Sequence, residues 1–309
     1  MTTHLYTHDI FAEHLTPAGH PERPDRIRAV KEALSHEDFD KLVRFETSQA
    51  DEATFLYAHP EAYVENLREE VPLENKMIRI DADTVMSPKT WDCVRHTVGG
   101  GLSAVDAVFD GKADNAFLAA RPPGHHAEKT TAMGFCLINT AAVMARHAQK
   151  KHGVDRVAIV DWDVHHGNGT QDIFWDDTSV LYASTHQMPL FPGSGDKNET
   201  GAGNICNAPL SAGMGGDGFR EAFRSRVLPA LDKFQPDLII ISAGFDAHHR
   251  DPLANINLEE DDFDWATGKL MDVATRHCVN RLVSLLEGGY DLKGLADSTT
   301  AHVKRLMNG

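Results

Sequence analysis

Several things are scarce or missing in this sequence. It has four cysteines, Cys93, Cys136, Cys206 and Cys278, and none forms a CxxC pair. They read as free thiols of a protein in a reducing cytoplasm. No apolar run approaches bilayer-spanning length, so no membrane partner is expected. The start, Met1 to Tyr6, lacks a basic segment followed by an apolar one, so no secretory signal is expected. Repeats, low-complexity tracts and Pro/Gly/Ser-rich linkers are absent, and residues 1–309 read as one domain. Positive charge is in deficit: 30 Lys and Arg against 46 Asp and Glu give a net charge of −16. That argues against direct nucleic-acid binding, which needs a basic footprint. It favours encounter with cationic substrates, though acidity also serves solubility.

What is present is an alternation of short apolar strands and longer amphipathic helices. Strands are expected at Leu5–His8, Ala116–Ala120, Val157–Val160, Val180–Ala183, Leu238–Ile241 and Leu282–Leu286. Helices are expected from Pro24 to about Leu34, as a pair over Ala53–Leu67 broken at His59-Pro60, and from Pro88 through Val108. Four more follow at Asn139–Lys151, Gly218–Phe234, Leu258–Val279 and Leu292–Met307. Gly99-Gly100-Gly101 inside a helix costs stability, and close backbone packing is the expected reason. Continuous apolar strands alternating with helices imply a parallel sheet covered on both faces, an α/β class.

Five of these strands release chemically capable residues at their carboxyl ends. They are Arg121 to His126, the stretch Asp161 to Thr170, Ser184-Thr185-His186, Ser242 to His248, and Glu287 to Tyr290. Carboxyl ends are where open α/β sheets build sites, so one active-site crevice is the best account.

In an extended backbone Asp161, Asp163 and His165 share one face. Asp and His at that spacing suit a divalent metal, whereas an acidic loop with incidental histidines would be an expensive way to leave a strand. Asp246 is the best third ligand, because a carboxylate after a fully apolar strand must be paired or metal-bound; its plainer alternative is a helix N-cap. His248 and His249 are runner-up ligands and read as surface residues. His96, His147 and His152 read as polar-face residues without a role. Three protein ligands leave a position for water. Two aspartates cancel the ion's charge, so a separate general base is needed, and His125 and His126 are candidates. Asp161 and Asn168 are suited to fix their tautomers. A second oxyanion donor is wanted as well, and Tyr290 could supply its hydroxyl; otherwise it is a packing tyrosine. Such parts describe metal-assisted hydrolysis of a neutral carbonyl such as an amide.

Arg121-Pro122-Pro123-Gly124-His125-His126-Ala127, Gly134-Phe135-Cys136, Asp161 to Gln171, Ser242 to Asp246 and Glu287 to Tyr290 resemble the histone deacetylase family, class II, with its bacterial acetylamine-hydrolase relatives. The resemblance runs from about His20 to Leu295. It implies an arginase/deacetylase fold around an eight-stranded parallel sheet flanked by helices. It implies one zinc ion on Asp163, His165 and Asp246. His126 would then be general base and acid, oriented by Asn168, with His125, oriented by Asp161, as an electrostatic partner. Tyr290 would polarise the scissile carbonyl. Gly134, Phe135 and Phe191 would line a narrow acyl-lysine tunnel, with Leu253 near the rim and Asp83 at the mouth. Arg23 would lie near an acetate-release pocket. Structural potassium would use Asp161 and Ser184.

The implied substrate is an acylated lysine or a related acylated amine. An acetylpolyamine hydrolase is the alternative, lowered by apolar Leu253 where an acidic gatekeeper would sit. A binuclear manganese ureohydrolase is disfavoured because Asp246 has no carboxylate two residues on, only His248. A non-catalytic acyl-lysine binder is disfavoured because no catalytic Tyr or His is lost.

Overall fold

A computed structural model describes residues 1–73 and 76–309. Ten strands are present among them: β1 (Thr3–Thr7), β2 (Val43–Glu46), β3 (Ile78–Arg79), β4 (Val85–Met86), β5 (Asn115–Leu118), β6 (Val157–Asp161), β7 (Val180–Gln187), β8 (Ile205–Leu210), β9 (Leu238–Ala243) and β10 (Leu282–Leu286). Eight of them form one sheet in the order β2-β1-β5-β10-β9-β6-β7-β8, and every pairing is parallel. The remaining two, β3 and β4, make a small antiparallel ribbon.

The α-helices are α1 (Asp25–Ala33), α2 (Glu61–Glu69), α3 (Thr90–Phe109), α4 (Thr140–His152), α5 (Asn168–Phe174), α6 (Gly216–Ala222), α7 (Leu228–Phe234), α8 (Glu260–His277) and α9 (Leu292–Asn308). They flank the sheet. One group packs α1 and α8 on α9, and another packs α3 on α4. Every residue of β5, β6, β7, β9 and β10 is buried. Such strands need no polar alternation, which is why their sequences are largely continuous apolar runs, with polar residues such as Ser184 to Gln187 of β7 gathered toward a carboxyl end.

The six strands expected from the sequence are present, and besides the β3–β4 ribbon so are two further strands of the main sheet that were not expected. Those two, β2 and β8, are the edges of the sheet. The helix expected over Gly218–Phe234 is two helices joined by a π-helical turn, Phe223–Val227. Pro229 explains the interruption, since it can neither donate to nor sit comfortably against the carbonyl four residues back. The break at His59-Pro60 separates a 3₁₀ segment, Glu52–Tyr57, from α2. The glycine run lies within α3 and meets its neighbours closely: a Cβ on Gly99 would stand 1.9 Å from the Ser48 carbonyl oxygen.

Candidate active site

The residues released by β5, β6, β9 and β10 meet at one end of the sheet. Asp161 closes β6 and is wholly buried. Its carboxylate accepts from the Tyr182 hydroxyl (3.0 Å) and from the Asp163 backbone N–H (3.1 Å), and pairs with His125 Nδ1 (3.0 Å). His126 Nδ1 pairs with Asn168 Oδ1 at 2.8 Å. The two imidazoles stand side by side with centroids 4.0 Å apart.

The environments of these two rings push them apart. Burial disfavours charge on His125, but Asp163 and Asp161 outweigh it and hold its pKa well above the ordinary value. Burial first, then the His125 and His165 charges, hold His126 well below. One ring therefore carries charge beside one that is neutral, which is the arrangement a base and its electrostatic neighbour require.

Asp163, His165 and Asp246 each offer a ligand atom within 4.8 Å of the others, and all three are buried. His165 Nδ1 lies 3.2 Å from Asp163 Oδ1 and 3.1 Å from Asp246 Oδ2. Burial and then Asp163 push the Asp246 carboxyl up to about 7. Two carboxylates are thus held together against their repulsion, a tension that a cation between them relieves. Backbone amides fix the pair: Gly288 N–H donates to Asp163 Oδ2 and Val164 N–H to Asp246 Oδ1, each at 2.8 Å. The approach at residue 288 needs glycine, because a Cβ there would lie 2.2 Å from Asp246 Oδ2 and 2.5 Å from Asp163 Oδ2. The donor set fits a divalent ion such as zinc.

A cavity of about 260 Å³ leads to this cluster. Its deep end is made by His126, His165 and Tyr290, which are buried. Gly134, Phe135, Leu190, Phe191, Leu253 and Asp83 line the rest. Phe135 sits at φ 69°, an unusual conformation for a bulky residue. Its N–H is tied to Thr84 Oγ1 at 3.0 Å, which holds the ring against Tyr290 (centroids 5.8 Å). Phe191 is 42% exposed and marks the open end, with its ring 5.2 Å from that of His126. Burial, only partly offset by the Arg26 charge, holds the Tyr290 phenol well above its ordinary pKa, so it keeps its proton and can donate.

The structure brings together every expected metal, catalytic and tunnel residue; the expected arginine is the exception. Arg23 is 45% exposed and pairs with Asp25 at 3.7 Å, away from the cavity. The arginine at the site is Arg26, wholly buried on the first turn of α1. It donates to the carbonyls of Gly289 (2.6 Å) and Glu287 (2.5 Å), and its guanidinium lies 4.9 Å from the Tyr290 ring centroid. Wholly buried Glu22 pairs with Arg26 at 3.1 Å, but Glu22 lies before α1, so their spacing carried no helical signal in the sequence. Glu287 was expected only as part of the run after β10, without a role of its own. It follows apolar β10 and accepts from the Gly124 and His125 amides at 2.7 and 3.2 Å.

Asp161 and Ser184 are register neighbours on β6 and β7, and both are wholly buried. The Ser184 hydroxyl pairs with His186 Nδ1 at 2.8 Å. His248, expected at the surface, is buried, with Nε2 3.3 Å from Glu260 Oε1; His249 is exposed. His96 is buried against Thr47 rather than on a polar face, with Nδ1 2.9 Å from the Thr47 carbonyl. His147 and His152 share Asp106 Oδ1 at 2.9 and 2.8 Å, with Lys151 on its other oxygen.

The histone deacetylase domain matches residues 20–306, and the chain belongs to that family. The chain is 40% identical over 279 residues to a histone deacetylase-like amidohydrolase of Pseudomonas aeruginosa, covering 88% of this chain and 73% of that protein. It is 35% identical to the human polyamine deacetylase HDAC10, over 99% of this chain and 48% of that protein. A solved structure, the HDA15 HD domain, superposes with a TM-score of 0.94 at 35% identity, over 99% of this chain and 88% of that one. Family and fold define a deacetylase or amidohydrolase built on the arginase/deacetylase sheet.

Proposed function

We propose that this chain is a zinc-dependent hydrolase, with one catalytic domain over residues 1–309, that removes acyl groups from acyl-lysine or a related acylated amine. The observation that carries this reading is that the Asp163–His165–Asp246 cluster reaches, through His165, the deep end of one apolar-walled cavity that His126 and Tyr290 also line. Zinc held by Asp163, His165 and Asp246 would supply Lewis-acid polarisation of the carbonyl and a more acidic water. His126, neutral and oriented by Asn168, takes the water's proton and later returns it to the leaving amine. His125, anchored on Asp161, holds positive charge beside it. Tyr290 donates its hydroxyl to the carbonyl oxygen as negative charge develops there. Phe135 and Phe191 flank an acyl-lysine stem, and Asp83 at the open end accepts from the substrate backbone or amine. Arg26, in place of Arg23, lies against the Tyr290 ring on the side of the Gly289 and Glu287 carbonyls. Asp161 and Ser184 are where a structural potassium ion would sit. A cytoplasmic location accords with the free thiols, and no described helix is long and apolar enough to cross a membrane.

Acetylpolyamines are the second reading, supported by the relative named as a polyamine deacetylase and by the negative charge of the chain. Apolar Leu253 at the rim favours acyl-lysine. Assays of purified enzyme on acyl-lysine peptides and acetylpolyamines decide between them, and no turnover of either, with or without added zinc, would overturn the proposal.

One catalytic divalent ion per chain is expected. Chelation and Asp246→Ala should each abolish turnover. Two stoichiometric metals lost together in Asp246→Ala would support a ureohydrolase instead. A second metal lost only in His152→Ala would belong to the Asp106 cluster and leave the reading intact.

A further inference from the structure

An imidazole acts as a base only through the nitrogen that carries no proton. For His126 the Nδ1 contact with Asn168 does not by itself say which one that is, because an amide can turn either its oxygen or its NH₂ group to a neighbour. The other end of the amide decides. Asn168 Nδ2 lies 2.8 Å from Glu128 Oε1 and 3.3 Å from Met133 Sδ. A carboxylate and a thioether only accept, so the NH₂ must face them. The amide oxygen must then face His126. That oxygen also only accepts, so Nδ1 carries the imidazole proton and Nε2 keeps its lone pair.

We propose that Glu128 is a positioning residue of this hydrolase: it sets the direction of the Asn168 amide, and through it the tautomer of His126. The inference rests on the assignment of His126 as general base and adds the group that makes Asn168 fit for its part. An aspartate at position 168 would need no such partner, since both of its oxygens accept. An asparagine does need one. The surrounding backbone is built to hold the contact. Glu128 N–H donates to the Thr131 carbonyl at 3.0 Å, and Lys129 N–H donates to Asp172 Oδ2 at 2.9 Å, which ties this loop to α5. Asn168 is the first residue of α5. Gly169 follows it, and a Cβ there would stand 2.2 Å from the Ala127 carbonyl oxygen, so the loop and helix approach only with glycine.

Three substitutions of Glu128 separate direction-setting from packing. Glu128→Gln keeps an acceptor oxygen, and turnover should stay within about threefold of the parent. Glu128→Leu removes the acceptor without imposing the opposite direction, and kcat should fall about tenfold. Glu128→Lys offers only donors. It turns Asn168 Oδ1 toward itself and Nδ2 toward His126, which moves the proton to Nε2 and removes the base. Its kcat should fall by about 10² or more, within the range that general acid–base catalysis contributes, with KM nearly unchanged. Histidine-selective ¹⁵N NMR should show His126 passing from the Nδ1–H to the Nε2–H tautomer in Glu128→Lys. Adding Asn168→Asp to that variant should recover activity, since an aspartate accepts from both lysine and His126.

Equal losses for Lys, Leu and Gln, or a His126 tautomer unmoved in Glu128→Lys, would overturn the proposal. If Glu128→Lys does not fold, Glu128→Leu decides: a mixture of the two His126 tautomers with kcat about tenfold below Glu128→Gln supports the proposal, and a pure Nδ1–H tautomer with kcat equal to that of Glu128→Gln overturns it. Failure of the base assignment is distinguishable: His126→Ala would then keep activity, while the Glu128 variants would still move the tautomer.

Discussion

The charge count at Asp163, His165 and Asp246 gives Tyr290 its weight. Two carboxylates make a divalent ion formally neutral, so such a centre stabilises a developing oxyanion less than a cationic one. The phenol stays protonated and lines the deep end of the cavity. Tyr290→Phe keeps the ring packed against Phe135 and removes the hydroxyl alone. Fold and metal content should hold, and kcat should drop roughly 10²–10³-fold with KM little changed. A trifluoroacetyl-lysine substrate, already electron-poor, should recover part of that loss; a defect of equal size on both substrates would argue that Tyr290 only packs. The histidine pair gives a second comparison. His126→Ala should cost more in kcat than His125→Ala, since proton transfer contributes about 10²–10⁴-fold, and equal small losses would undo the assignment. These residues were legible because each lies in a polar run directly after an apolar strand. Arg26 was not, because it lies on a helix and its acceptors come from 263 residues away; Glu128 was not, because nothing in its run distinguishes it from an ordinary loop acid.

Among the elements, legibility followed burial. The six central strands are apolar runs because both faces of the sheet are covered. Edge strand β2 has all four residues exposed, so nothing in Val43–Glu46 distinguishes it from a loop. Edge strand β8 carries Asn207 and Pro209, and proline is tolerated there because an edge leaves some amides unpaired. Helix α3 shows the converse, a sequence oddity with a steric cause. At Gly99 a Cβ would meet backbone, the Ser48 carbonyl oxygen at 1.9 Å and the Ala50 nitrogen at 2.9 Å. At Gly101 it would meet only side-chain atoms, the Met144 sulfur at 2.7 Å and Cγ at 2.9 Å, which belong to a flexible chain that can shift. Gly99→Ala should therefore destabilise by about 2 kcal/mol or more, as overpacking against rigid atoms does. Gly101→Ala should be far milder, since removing a helical glycine returns up to about 1 kcal/mol. Urea midpoints of the two variants test this, and similar losses at both sites would refute the distinction.

The molecule as a whole rests on buried histidines that link its layers. His302 on α9 is wholly buried, with Nδ1 2.6 Å from Thr267 Oγ1 of α8 and Nε2 2.9 Å from Ser284 Oγ of β10. Burial lowers its pKa from 6.5 to about 3. The sign follows from where each state takes up the proton. Above pH 6.5 neither state binds it and the term is constant. Below 6.5 the unfolded chain binds a proton that the folded chain refuses, so stability falls as pH drops, until His302 itself is charged near pH 3. At pH 5 the loss from this group is on the order of 2 kcal/mol. Other groups act in the opposite sense: burial raises Asp251 to about 6 and Glu287 to about 7, and such acids favour the folded state as pH falls. The raw pH profile therefore mixes signs, and a variant isolates the histidine. His302→Gln keeps hydrogen-bonding capacity and cannot be charged. Wild type should exceed it in stability at pH 7.5, and the gap should narrow by about 2 kcal/mol at pH 5. Urea unfolding at the two pH values reads that difference directly. A gap independent of pH would mean that His302 does not stay neutral in the folded protein, and that the joint between α8, α9 and the sheet tolerates a charge.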